Sequence, residues 1–549
     1  MYYAANRLYA TNDGGATWQT ISEDLTRPSG GSPPSVGDMH ADKAELQRGV
    51  IYAVAASPLS KGVLWAGTDD GLIWLTRNDG GAWENVTPSE LGPWSKVTQI
   101  DASHFDANVA YASVSRFRLD DLKPYVYRTR DGGKSWQSIA AGLPKDAPVN
   151  AVREDPVRRG LLFAATEKAV WMSFDDGDHW QSLQLNLPHT SMRDLIVHDR
   201  DLVLATHGRS FWVLDDIGPL RADLGTAPVT ALLKPSAAIR VKRSTGTDTP
   251  IPPDEPSGRN PPNGAVIDYY LPQSAKEPVA IEILDASGTV LRRISSTDSS
   301  GISETQREKE LIPQYWIRPF KTLGTTAGMH RLVWDLHGAT PRAVRRNYPI
   351  SAVPHDTPQE PSGPTVVPGI YRVRLEIGKR HWEQPLTVAA DPRVNIAQQD
   401  YAAQFALGKE LAEALDASSG KAQEIKSLRA QLKTLHAAQL AERAKELDEH
   451  FDSLMEHGVN TAGSRGLERV NGDIQSLYTQ VLEADAAPTR VQQTSAESLL
   501  KEWQALFAAA AKISQDELAP LNESLKRAKL PLLRSDAAAP EEGASSDEE

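Results

Sequence analysis

Short turns within the first 220 residues or so carry the side chains whose types suit chemistry. Asp69 and Asp70 sit in GTDDG, Asp120 and Asp121 follow Arg116 and Arg118, and Glu167 precedes Lys168 in ATEKA. Cleavage of a glycosidic bond needs two carboxyl groups about 5 to 9.5 Å apart, one of them protonated at working pH. These five are the carboxyls available for such a pair. Acidic residues on exposed turns also serve solubility, so both roles stay open. His207 and Arg209 flank Gly208 on another turn, and Trp94 adds an aromatic surface from a connection. An arginine fork beside an imidazole can hold a carboxylate or a sugar acid, or it can simply hydrogen-bond a neighbouring domain.

Other chemistries find less support. His104, His179 and His198 lack metal-ligand spacing and cysteine is absent, so neither a metal nor a cofactor is expected. A formal net charge of −13 without a Lys/Arg-rich face argues against nucleic acid as a partner. No stretch approaches the roughly 20 apolar residues of a membrane span. The opening residues MYYAANR lack the charged and apolar runs of a signal peptide.

An internal repeat must position these residues. The pattern Ser/Thr-x-Asp/Asn-x-Gly-x-x-Trp occurs at 11–18, 76–83, 129–136 and 173–180. In each copy a short polar side chain (Asp13, Asn78, Asp131, Asp175) can bond turn N–H groups. A glycine (Gly15, Gly80, Gly133, Gly177) tolerates positive φ, and a tryptophan (Trp18, Trp83, Trp136, Trp180) begins the next strand. These turns are widely spaced and have few spare oxygens, which makes them structural. Trp-to-Trp spacings of 65, 53 and 44 residues suit four-stranded propeller blades. A strand-turn-strand unit precedes the boxes, as in LWAGTDDGLIW, LFAATEKAVW and the last copy around Leu202–Leu214. With strands lettered a to d from the centre, the boxes are c-d turns and the acidic turns are b-c turns, on opposite faces.

The boxes resemble the Asp-box (BNR) repeats of sialidases, xyloglucanases and sortilin-type sorting receptors. The wider wording NRLY, GTDDG, SFDDG and ATHGRSFWVLDD is similar to large bacterial sortilin-like proteins often labelled glycosyl hydrolases. That resemblance implies an Asp-box β-propeller, export from the cytoplasm, and a substrate or ligand cleft on the b-c face. There it implies Asp69, Asp70, Asp120, Asp121 and Glu167 as weak catalytic candidates and Trp94, Arg116, Arg118, His207 and Arg209 as ligand contacts. About four and a half blade equivalents are visible, beginning inside a blade, where roughly four to eight close a ring. A truncated or split product, self-association, or a partner chain completing the propeller is therefore expected.

The remainder predicts a mainly β, multidomain chain. Residues 1–218 are read as an incomplete propeller and 219–264 as a Pro/Gly-rich linker. Alternation across 265–391 predicts an Ig-like β-sandwich. Helical periodicity across 392–534 predicts an α-helical bundle, and 535–549 an acidic disordered tail. The leading expectation is a binding scaffold for an extracytoplasmic peptide or glycan. The alternatives are a glycoside hydrolase with its cleft on the b-c face and a fragment with no independent function.

Overall fold

The computed structural model describes residues 1–28, 49–225, 229–243, 252, 254–255, 258–299, 307–349, 353–435, 438–458 and 465–535. The expected acidic tail from residue 536 on and parts of the expected linker (226–228, 244–251, 253 and 256–257) lie outside the described residues. The rest of 219–264 is not only linker, since it contributes two short strands whose Leu232 and Ala238 are buried in the core of the second unit. Two compact units divide the chain, Met1–Asp223 and Leu224–Glu549.

The first unit is a succession of small antiparallel sheets. The first contains β1 (Tyr2–Ala4), β2 (Leu8–Ala10) and β3 (Gln19–Thr20). The second runs β4 (Ile51–Ala56), β5 (Leu64–Thr68), β6 (Ile73–Thr76) and β7 (Glu84–Asn85). The third runs β8 (Lys96–Ala102), β9 (Ala110–Arg116), β10 (Asp121–Thr129) and β11 (Gln137–Ser138). The fourth runs β12 (Val149–Glu154), β13 (Leu162–Thr166), β14 (Val170–Ser173) and β15 (Gln181–Ser182). The fifth contains β16 (Met192–His198), β17 (Asp201–Thr206) and β18 (Phe211–Leu214), followed by the short helix α1 (Gly218–Arg221). Each strand pairs with the next in sequence, and the leading strands β4, β8, β12 and β16 pack beside one another in turn. Strands buried on both faces, such as LWAGT of β5 and LFAAT of β13, read as unbroken apolar runs because a sheet covers each side.

The four boxes fold alike. The hydroxyl of Thr11, Thr76, Thr129 or Ser173 accepts the N–H of the box glycine and donates to the box Asp or Asn. That Asp or Asn then accepts the backbone N–H of the seventh box residue, at 2.9 Å in every copy. The tryptophans stitch neighbouring sheets: the indole N–H of Trp83 donates to Ile21 O, that of Trp136 to Val86 O and that of Trp180 to Ile139 O.

The second unit combines sheets and helices. A three-stranded sheet is ordered β19 (Ala231–Leu232), β21 (Ala265–Leu271), β24 (Gly328–Trp334). A five-stranded sheet is ordered β20 (Ala238–Arg240), β26 (Arg380–Ala390), β25 (Gly369–Ile377), β22 (Val279–Leu284), β23 (Val290–Ser295). Ile267, Tyr269 and Trp334 of the first share a core with Ile281, Val373 and Leu386 of the second. Helices α2 (Gln398–Lys433), α3 (Ala441–Glu456), α4 (Leu467–Leu482), α5 (Arg490–Ile513) and α6 (Ala519–Arg527) follow. Their apolar stripes meet around Leu415, Phe451, Ile474, Trp503 and Leu525. No helix among the described residues is long and apolar enough to cross a membrane.

Candidate functional site

The end of the first unit opposite the Asp boxes is shaped by a feature repeated in four sheets. Near the start of each leading strand one extra residue interrupts the ladder: Tyr52 between Ile51 and Ala53, Thr98 between Val97 and Gln99, Asn150 between Val149 and Ala151, and Arg193 between Met192 and Asp194. A bulge of this kind turns a side chain out of the regular alternation. Its consequence is a row of side chains at one mouth. Tyr52 is exposed, with the Lys96 ammonium 3.3 Å from its ring centroid. Thr98 donates to Val149 O at 3.2 Å, and Asn150 donates to Met192 O at 3.0 Å. Arg193 reaches Glu167 at 3.1 Å, and Asn150 also donates to that carboxylate at 3.0 Å.

The b-c turns lie at this same end of the sheets, and each carboxyl there has a distinct fate. Asp69 Oδ1 accepts Val50 N–H at 2.8 Å, and its Oδ2 lies 3.5 Å from Arg118. Burial pushes the Asp69 carboxyl above its ordinary range, the neighbouring Asp70 adds to this, and Val50 N–H, Arg118 and Lys96 oppose it. Asp70 is fully buried and engaged, accepting from the Thr68 hydroxyl at 2.5 Å and from Arg27 N–H at 2.7 Å. Asp120 is an exposed turn residue with φ of 56°. Asp121 accepts from Arg116 at 3.0 Å and from the Tyr125 hydroxyl at 2.6 Å. Partial burial raises Asp121, but the bonds from Tyr125, Lys123 N–H and Arg116 outweigh it and hold this carboxyl low.

The structure thus joins Asp69 to Arg118 across two sheets, and Arg116 to Asp121 within one turn. Glu167 belongs to a separate group with Asn150 and Arg193. His207 and Arg209 are exposed, and their side chains make no hydrogen bond or ion pair among the described residues. Trp94 is only 5% exposed; its backbone N–H donates to Asp70 O, and φ of 61° turns the chain there. Tyr52, Lys96, Asn150 and Arg193 escaped the sequence reading. Among the described residues no group of three or more His, Asp or Glu could hold a metal ion.

No family model matches the chain. It is 23% identical over 239 residues to an oligoxyloglucan-reducing end-specific xyloglucanase of Emericella nidulans. The match takes in 38% of this chain and 29% of that enzyme, so the chain spans less than a third of that relative. The GH74 xyloglucanase from Xanthomonas campestris superposes with a TM-score of 0.31 and 13% identity, over 72% of this chain and 78% of its own. YCF48 from Cyanidioschyzon merolae superposes with a TM-score of 0.24 and 17% identity, over 30% of this chain and 52% of its own.

Proposed function

We propose that the chain is a carbohydrate-binding Asp-box β-propeller protein whose oligosaccharide ligand lies across the b-c mouth. The row of bulge residues carries this reading. An exposed phenol ring at Tyr52, braced by Lys96, is a platform on which a sugar ring can stack, and Arg118 and, farther along the row, Arg193 offer donors to hydroxyls. The neighbouring carboxyls are mostly spent as acceptors of structural hydrogen bonds, which favours holding a glycan over cleaving it. Likeness to a xyloglucanase supports a glucan-type chain, and an extended peptide is the other ligand class.

In this reading residues 1–218 are blades of the bacterial sortilin-like, BNR-repeat kind. Residues 219–264 lead into the second unit and lend β19 and β20 to its sheets; 265–391 complete an Ig-like β-sandwich, 392–534 form a helical bundle and 535–549 are an acidic tail. The protein works outside the cytoplasm. Calorimetric titration of the full chain with xyloglucan oligosaccharides tests the proposal. Saturable binding weakened about tenfold by Tyr52→Ala, roughly 1.4 kcal/mol, supports it. Failure of every glycan tried to bind, while peptides do, sinks it.

A specific observation favours glycoside hydrolysis as a second reading: Asp69 is a carboxyl with raised proton affinity at the mouth. Release of reducing ends that disappears in Asp69→Asn supports that reading over binding alone.

A further inference from the structure

The seam between the third and fourth sheets, at the Asp-box end, holds a carboxyl group whose hydrogen bonds do not add up unless it carries a proton. Glu154 ends β12 and is 3% exposed. Its Oε2 accepts from the Ser103 hydroxyl at 2.6 Å and from His104 N–H at 3.0 Å. Its Oε1 faces the Tyr111 hydroxyl oxygen at 3.3 Å. Tyr111, however, has one proton and a second acceptor, the Oδ1 of Asp176, to which it is closely bonded. Asp176 is also held by Arg128 at 2.9 Å and Arg130 at 2.5 Å, so it is an anchored anion. With the Tyr111 proton directed to Asp176, two lone-pair oxygens confront each other at Tyr111 and Glu154.

The charges around Glu154 sharpen the point. From β8, Asp101 accepts Glu154 N–H at 2.8 Å and takes the Arg153 guanidinium at 3.1 Å. Arg153 is further occupied by Leu195 O and lies 3.9 Å from Asp194 of β16. From β10 Arg128, and just beyond it Arg130, serve Asp176, and Arg128 also bonds Asp178. The connection after β8 presents Ser103 and His104. Arg153, Arg128 and Arg130 are matched to other carboxylates, and Arg159 is spent on Phe105 O at 3.0 Å, so the bonds Glu154 receives come from neutral donors.

We infer that Glu154 is protonated in the folded protein and donates through Oε1 to Tyr111, which donates in turn to Asp176, making this seam a pH-sensitive joint between neighbouring blades. The proton balance is simple: Glu154 OH to Tyr111 O, Tyr111 OH to the Asp176 carboxylate. Loss of the Glu154 proton leaves one hydroxyl proton for two anions. Burial pushes Glu154 up and the nearby Asp101 adds to this, against the Ser103, His104 and Tyr111 bonds. Burial likewise holds the Tyr111 hydroxyl in its protonated form. A carboxyl raised in the fold contributes stability that is complete below its ordinary pKa and is lost as pH rises through the folded value. The seam therefore weakens on going from acid toward neutral and alkaline pH.

Thermal unfolding of the full chain, followed by tryptophan fluorescence, reads this joint, since nine of the 13 tryptophans lie before residue 223. Glu154→Gln keeps an oxygen for Ser103 and His104 and an NH2 that donates to Tyr111 at all pH values. The midpoint of Glu154→Gln relative to the parent is expected to climb by a few degrees between pH 5 and pH 8. A difference that stays constant with pH overturns the inference. Infrared spectroscopy provides a check independent of the variant's stability. The parent at pH 6 is expected to show a protonated-carboxyl C=O band that is absent from Glu154→Gln, or, if that variant fails to fold, from the parent at high pH. A parent spectrum without the band at pH 6 overturns it equally.

Discussion

The indole N–H of Trp136 donates to the carbonyl of Val86, 2.7 Å away and 50 residues earlier in the chain. The bond joins the third sheet to the last turn of the second. Gly133 of the same box closes on the same residue. A Cβ at Gly133 would lie 2.6 Å from Val86 Cβ, with φ at +84°. Gly80 and Gly177 stand against Ile21 and Ile139 in the same way. The box glycine is therefore fixed by the neighbouring blade as well as by its own turn.

Gly133→Ala is expected to destabilise the first unit by about 2–4 kcal/mol, combining overpacking with left-handed strain. Gly14→Ala is the control. That residue has φ of +74° but nothing within 4 Å of a new Cβ, so only the backbone cost of roughly 1–2 kcal/mol applies. Comparing urea midpoints of the two variants by tryptophan fluorescence checks this. Equal losses would mean the contact with Val86 adds nothing.

The boxes also carry an internal correlation. Where the third residue is Asp, the seventh donates a side-chain bond to its second oxygen: Thr17 to Asp13, Ser135 to Asp131 and His179 to Asp175. Where it is Asn78, the seventh is Ala82, which has no such donor. Asn78→Asp alone leaves a carboxylate oxygen unmatched, and Ala82→Ser supplies the missing donor. The double variant is expected to be more stable than the sum of the two single changes, by about 0.5 kcal/mol or more. Strict additivity in a denaturation cycle would refute the pairing.

The same bonds set an acid response. The Ser135 hydroxyl, with Ser135 N–H behind it, holds Asp131 down to about 2 from an ordinary 3.8. A carboxyl lowered in the fold contributes stability that is present above 3.8 and lost as pH falls toward 2. Ser135→Ala removes the largest cause, so its stability deficit relative to the parent should be full at pH 6 and shrink between pH 4 and pH 2. A deficit that does not change over that interval contradicts the assignment.

How much of this was legible in the sequence follows from the range of the interactions. A box is local, eight residues bonding among themselves, so its spacing revealed both the repeat and the strand that follows. The opposition of box turns and acidic turns followed from strand counting alone. The fate of each carboxyl did not, because it depends on distant partners: Asp70 is claimed by Arg27, 43 residues earlier, and Glu167 by Arg193, 26 residues later. Bulges left no local mark either. A single extra residue in YAVAA or VNAVRE changes no composition, yet it places Tyr52 and Asn150 at the mouth.

Among the described residues of the second unit, the polar contact of widest sequence separation is also buried. Arg240 of β20 reaches Asp485 at 2.7 Å and Gln404 at 2.9 Å, and its guanidinium lies 4.6 Å from the Tyr401 ring centroid. It ties the five-stranded sheet to α2 and to the segment following α4. Removing one member of a buried pair leaves the other charge unmatched, so Asp485→Ala should cost about 3–5 kcal/mol. Arg240→Met should cost less than Arg240→Ala because it keeps the apolar volume. Far-ultraviolet circular dichroism during denaturation reads the helices directly, and a loss below about 1 kcal/mol for Asp485→Ala would show the pair to be dispensable.

Asp69 and Asp70 are neighbours in sequence and opposites in consequence. Asp70 is enclosed and accepts from Thr68 and Arg27, so Asp70→Ala strands two donors and should cost about 2–3 kcal/mol. Asp69 is held mainly against burial, with its folded proton affinity raised, so its ionised form is a burden at neutral pH. The stability Asp69 contributes is complete below its ordinary pKa and disappears as pH rises through the folded value. Asp69→Asn retains an oxygen for Val50 N–H and removes the titration. It should therefore leave stability at pH 7 unchanged or raise it, by no more than about 1 kcal/mol. Arg118→Ala withdraws the opposing cation and should make the chain more sensitive to rising pH, but only while Asp69 is present. Thermal midpoints of the two single variants and the double variant between pH 4 and pH 8 decide the matter. If Arg118→Ala keeps its pH sensitivity in the Asp69→Asn background, the two residues are not the coupled pair that the geometry describes.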